Sequence, residues 1–176
     1  MATFRNSSTA SGESSNTSIN KPAGVVSGDV QYALMVVNGS SATITISGGA
    51  TWSLLGTLTI TNGQTGKYKL YRQVAGSSEP STYTVAASDQ WSGQVRAYSG
   101  VNSSTPEATA VVTDQTDHSP DPSPVTLTTS GITTTATNQT VIKLGSVCWN
   151  GDSSGASWTD PAGFGNVAST DRKSVV

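Results

Sequence analysis

Apolar residues in this chain recur at every second position over short runs, and pairs of turn-forming residues separate the runs. Val30, Tyr32, Leu34 and Val36 fall on one face of an extended segment, and Gln31, Ala33, Met35 and Val37 on the other. A period of two cannot line one side of a helix, whose faces repeat every 3.6 residues. Both faces of this segment carry apolar side chains, which predicts a central strand. Asn38-Gly39 then reads as a hairpin turn. Ala42-Thr43-Ile44-Thr45-Ile46 follows, with Ile on one face and Thr on the other, and Gly48-Gly49 ends it.

The pattern continues from Trp52 to Thr61, with Leu58 and Ile60 on one face. Asn62-Gly63 predicts a second hairpin into the strand Lys67 to Val74. There Tyr68, Leu70, Arg72 and Val74 share one face, and Lys67, Lys69, Tyr71 and Gln73 the other. Gly76-Ser77-Ser78-Glu79-Pro80 reads as a loop, and Thr82 to Ala86 and Gly93 to Tyr98 as further strands. Asp117-His118-Ser119-Pro120-Asp121-Pro122-Ser123-Pro124 is a connection too rich in proline for a central strand. Val125 to Thr128 and Thr140 to Cys148 return to extended patterning. No window has the spacing and caps of a ten-residue helix. The fold expected is all-β, an antiparallel β-sandwich, jelly-roll-like. A weak internal echo agrees with two facing layers: Val30 through Asn38-Gly39 to Trp52 resembles Val141 through Asn150-Gly151 to Trp158.

Domain organisation follows from length and from where apolar residues are lacking. A chain of 176 residues suits one domain. Residues 1–20 are mostly Ser, Thr, Asn and Gly, and are expected to be a flexible arm or a weakly held edge segment; residues 21–176 are expected to be a single β-sandwich. Charged residues are only 11% and the net charge is −2, which argues against a binder of nucleic-acid backbone, since that would need a basic face. No apolar run approaches the roughly 20 residues of a membrane span, and the N-terminal residues lack the apolar stretch of a secretory signal. One cysteine, Cys148, excludes an intrachain disulfide and cannot hold zinc alone.

Residue types that carry chemistry in other proteins have plainer roles here. Gly151-Asp152-Ser153-Ser154-Gly155 is superficially like a serine-protease nucleophile segment, but its only candidate base, His118, lies some thirty residues upstream, and a polar hairpin loop is preferred. Asp114, Asp117, His118 and Asp121 lack the glycine and the spacing of a Ca²⁺ loop and read as a solvated linker. Trp52, Trp91, Trp149 and Trp158, with Tyr68, Tyr71 and Tyr98, could stack on sugars but are expected chiefly as core filler. The rows Thr43/Thr45, Thr57/Thr59/Thr61 and Thr126/Thr128 lack the fixed repeat of an ice-binding face. No catalytic, cofactor-binding or metal-ligating residue is therefore expected, and no cofactor. Trp91, flanked by Asp89, Gln90 and Ser92 in an expected loop, is the candidate exposed partner contact, together with Phe4 and Arg5 in the arm.

The order of several motifs carries a resemblance. Gly28-Asp29 opens a strand, followed by Trp52-x-Leu54-Leu55-Gly56, Tyr71-Arg72-Gln73-Val74-Ala75 and Ser78-Glu79-Pro80-Ser81-Thr82-Tyr83-Thr84. Ala97-Tyr98-Ser99-Gly100-Val101, Thr105-Pro106 and Trp158-Thr159-Asp160-Pro161-Ala162-Gly163-Phe164 come after. From about Ile19 to Arg172 the chain resembles a family of β-sandwich domains of tailed-bacteriophage virion proteins and related bacterial surface proteins. The resemblance implies a non-enzymatic virion component assembled in the host cytoplasm, with a capsid decoration or cement protein preferred. Its partners would be the major capsid protein or other virion subunits, with the chain a homo-oligomer or in many copies, and neither nucleic acid nor membrane engaged. A receptor- or carbohydrate-binding module of a tail fibre or baseplate is the alternative, with a glycan as partner. The family pattern implies more sheet after Asp171-Arg172, so a neighbour supplies the last strand, an edge stays open, or the natural protein is longer.

Overall fold

The computed structural model describes residues 2–61 and 65–103, and these form eight strands in two antiparallel sheets. They are β1 (Thr3–Gly12), β2 (Ser15–Asn20), β3 (Val30–Asn38), β4 (Ile44–Ser47), β5 (Ser53–Ile60), β6 (Gly66–Val74), β7 (Thr82–Ala87) and β8 (Trp91–Ser99). The larger sheet runs β1-β8-β3-β6-β5 and the smaller β2-β7-β4. The Asn62-Gly63 turn, the proline-rich connection, the extended segments after it, the second half of the internal echo and Trp149 and Trp158 lie outside the described residues.

The two sheets face each other across one hydrophobic core, which makes the fold the expected β-sandwich. Ala33, Met35 and Val37 of β3, Tyr71 of β6, and Trp91 and Val95 of β8 meet Ile19, Ile44, Ile46, Tyr83, Val85 and Ala87 from the smaller sheet. The Tyr71 hydroxyl donates to the Ile44 carbonyl at 2.9 Å, so the buried phenol is satisfied across the interface. Pairing follows 1-8-3-6 in one sheet and 2-7-4 in the other, but β5 lies beside β6 instead of beside β4. The described strands are thus five plus three, not the four plus four of a full jelly roll.

β3 is central, between β8 and β6, as its two apolar faces predict. Asn38-Gly39, however, closes no hairpin. Gly39 does take a left-handed φ of 87°, yet the chain leaves β3 and enters the opposite sheet as β4. The turn chemistry was legible, and its destination was not. β5 and β6 do form a hairpin pair, from Ser53 opposite Arg72 to Ile60 opposite Gly66.

Of the two expectations for residues 1–20, a flexible arm or an edge segment, the structure shows the second: β1 and β2 are edge strands of their sheets. β1 pairs with β8 from Thr3 opposite Ser99 to Gly12 opposite Trp91, and β2 pairs with β7 from Ser15 opposite Ala87 to Asn20 opposite Thr82. The physical reason is that ladder hydrogen bonds come from the backbone and need no apolar side chain. A few contacts anchor the two strands: Ile19 is buried in the core and Ala10 packs against it. Both edges of the larger sheet carry an irregularity, between Phe4 and Asn6 in β1 and between Leu54 and Gly56 in β5. Such bulges bend an edge strand and disrupt flat pairing.

Candidate functional site

The three partner-contact candidates occupy different settings. Trp91 is corrected outright: it is 1% exposed, opens β8 and sits in the inter-sheet core. Its inward neighbours on the strand are Gly93, Val95 and Ala97, and the polar Ser92, Gln94 and Arg96 fall on the opposite face. Alternation therefore extends back to Trp91, and the polar residues beside it in sequence do not mark a loop. Trp52 is the half-exposed tryptophan of the described residues, set edge-on to Tyr83 with ring centroids 5.2 Å apart.

Phe4 and Arg5 sit at the bulged end of β1, where they bind within the chain. The bulge leaves Arg5 without a register partner and aims its Nε at Asp29 Oδ2, 2.7 Å away. Asp29 is 3% exposed at the mouth of β3, and the same oxygen accepts from the Val26 amide at 3.0 Å. A buried carboxylate needs such partners, because burying an unpaired charge is costly. Phe4 is 37% exposed and meets Tyr98 edge-on at 5.6 Å, while the Arg96 guanidinium lies 5.0 Å from the Phe4 ring centroid. Part of the Phe4 ring remains open to a neighbour. Burial pushes the Tyr98 phenol above its ordinary value, with Arg96 opposing the rise.

A second polar cluster was not anticipated. Gln31 of β3 and Gln73 of β6 are register partners, both buried on the inward face. Gln31 Nε2 donates to the Tyr83 hydroxyl at 2.8 Å. Glu79, from the loop before β7, receives four donors: the Gly76 amide at 2.7 Å, the Ala50 amide at 3.0 Å, the Tyr83 hydroxyl at 3.1 Å and Gln73 Nε2 at 3.3 Å. The single Tyr83 proton has a second acceptor in Gln31 Oε1 at 3.0 Å, so the hydroxyl serves one or the other. With its oxygens engaged by amides and a phenol, Glu79 ties the loops at Ala50 and Gly76 to the core. That is the geometry of a latch, and it offers no carboxylate oxygen poised as a general base. The signal available in sequence was a glutamine at an inward position on each of two paired strands.

Burial also pushes the Tyr83 phenol well above its ordinary value, with the Glu79 charge adding to the rise and the Gln31 hydrogen bond opposing it. A raised phenol favours the folded state only while unfolded tyrosines stay neutral. Its contribution is complete below about pH 10, the ordinary tyrosine value, and is lost as pH rises from there towards the folded-state value. Tyr83→Phe is expected to cost about 1–3 kcal/mol at neutral pH by orphaning buried polar partners. It should also flatten the fall of the melting midpoint above pH 10. Parallel thermal melts from pH 8 to 11.5 check both, and an equal slope in the two proteins would contradict the assignment.

Among the described residues, no group of three His, Cys, Asp or Glu side chains is placed to hold a metal ion. The Asp114, Asp117, His118 and Asp121 cluster and the Gly151 to Gly155 segment lie outside the described residues. What the described geometry defines is an antiparallel sandwich whose buried polar groups brace its own loops and edges. A scan against protein-family models found no match, and searches of curated proteins and of solved structures likewise found none.

Proposed function

We propose that this chain is a non-enzymatic structural component of a tailed-phage virion, a decoration or cement protein that stabilises the shell through contacts with its subunits. The motif order from Gly28-Asp29 to Phe164 is the source of the reading. The observation that carries it is the β1 edge. Beyond its bulge, Asn6 to Gly12 is a strand of Ser, Thr, Asn, Ala and Gly in unbroken register that pairs on one side with β8 and, among the described residues, with no strand on the other. An edge of this kind attaches to a neighbour through backbone hydrogen bonds, with little demand on side chains. Many weak attachments repeated over a shell then act together.

The carbohydrate-binding alternative expects an exposed aromatic patch, and Trp91, its best candidate member, is buried, which favours the decoration reading. Its test is direct. Particles of the phage that encodes the chain should carry it in a fixed, many-copy ratio to the major capsid protein, and a density map should place it on the shell. Particles lacking it should disrupt at a temperature several degrees lower. A chain absent from particles, or present in a few copies on the tail, would overturn the reading.

A further inference from the structure

The larger sheet has two buried faces, and the smaller sheet covers only one of them. On the outward face Val30 is 0% exposed, Val36 2%, Gln94 1% and Arg96 5%, and Tyr32, Tyr68 and Tyr98 are buried with them. Alternation assigns all of these to the side away from Ile44, Tyr83 and Val85. Val30, Tyr32 and Tyr98 form a second hydrophobic cluster, joined by Leu55, Leu70, Val74 and Val101. Neighbouring strands shield the flanks of such side chains but not their tips. An antiparallel sheet with one solvated face shows polar residues there, and this face is largely aromatic and aliphatic.

The described residues after β8 lead onto this face. After β8, Gly100 takes a left-handed φ of 69° and Val101 packs into the outer cluster. Arg72 of β6 then donates from one guanidinium nitrogen to the carbonyls of Asn102, at 3.1 Å, and Ser103, at 3.2 Å. The polypeptide has therefore turned back from β8, past β3, to reach β6 on the outward side. Seventy-three residues remain, from 104 to 176, including the alternating run Val141-Ile142-Lys143-Leu144.

We propose that the outward face of the larger sheet is the docking surface for residues 104–176 of the same chain, which close a second hydrophobic core. This does not depend on the virion reading, since it concerns the interior of one chain.

The test places a photo-cross-linking p-benzoylphenylalanine at position 70, and separately at position 53, in the full-length protein. Leu70 is half-buried in the outer cluster, whereas Ser53 is exposed at its rim opposite Arg72, where a large side chain is tolerated. Irradiation of the folded protein should give a product of monomer mass on a denaturing gel. Peptide mapping should place most of the cross-links from both positions within residues 104–176. A product of dimer mass would assign the face to a second copy and overturn the proposal. Failure of both probes to link to any residue beyond 103 would overturn it as well.

Discussion

Trp91→Ala should lower stability by about 3–5 kcal/mol, the range for truncating a large buried aromatic. For a chain of this size that corresponds to a fall in melting midpoint on the order of 10 °C. Trp91 is among the largest fully buried side chains, and β1 closes down on it: a Cβ at Gly12 would lie 2.8 Å from the indole Nε1. It shares the core with Met35, Val37 and Val95 of its own sheet and Val85 of the facing one. The cavity left by alanine touches both sheets, so neither sheet can relax into it alone. Thermal unfolding followed by circular dichroism checks the effect. A change under 1 kcal/mol would return Trp91 to the surface role read from its polar neighbours.

Deletion of residues 1–16 should abolish cooperative folding or cost well over 3 kcal/mol. The change removes all of β1, with its nine register pairs to β8, and the first two residues of β2. It strips Arg5 from Asp29, whose side chain is 4% exposed, and leaves that carboxylate without its cation. It also takes Phe4 from Tyr98 and uncovers Trp91 at Gly12. Had residues 1–20 been the flexible arm expected from composition, the shortened protein would melt as the intact one does. That outcome, measured by thermal melts of the two soluble proteins, would refute the strand assignment of β1.

Much of the local architecture was legible because strand periodicity is a short-range property. The faces of β3, the Ile-in, Thr-out alternation of β4, the β5–β6 pair and the extents of β7 and most of β8 follow from every second residue seeking the core. The Asn38-Gly39 turn and the Trp91 setting misled for one reason. Adjacent residues carry the only local signal for each, whereas hydrogen-bonding partners and burial are set by strands far away in sequence. Glu79 illustrates the remainder. Nothing near it in the chain reveals that Ala50, Gln73, Gly76 and Tyr83 converge on one carboxylate.

By itself, then, the sequence determined that this chain is built of extended segments, which side of most of them is apolar, and where glycine turns interrupt them, because side-chain alternation and left-handed turns are written in neighbouring residues. Only the tertiary structure decided which strands pair, that a hydroxyl-rich N-terminus becomes two of them, and that Arg5 and Trp91 serve the interior. Backbone hydrogen bonding makes those decisions, and it carries no side-chain signature until a partner strand arrives.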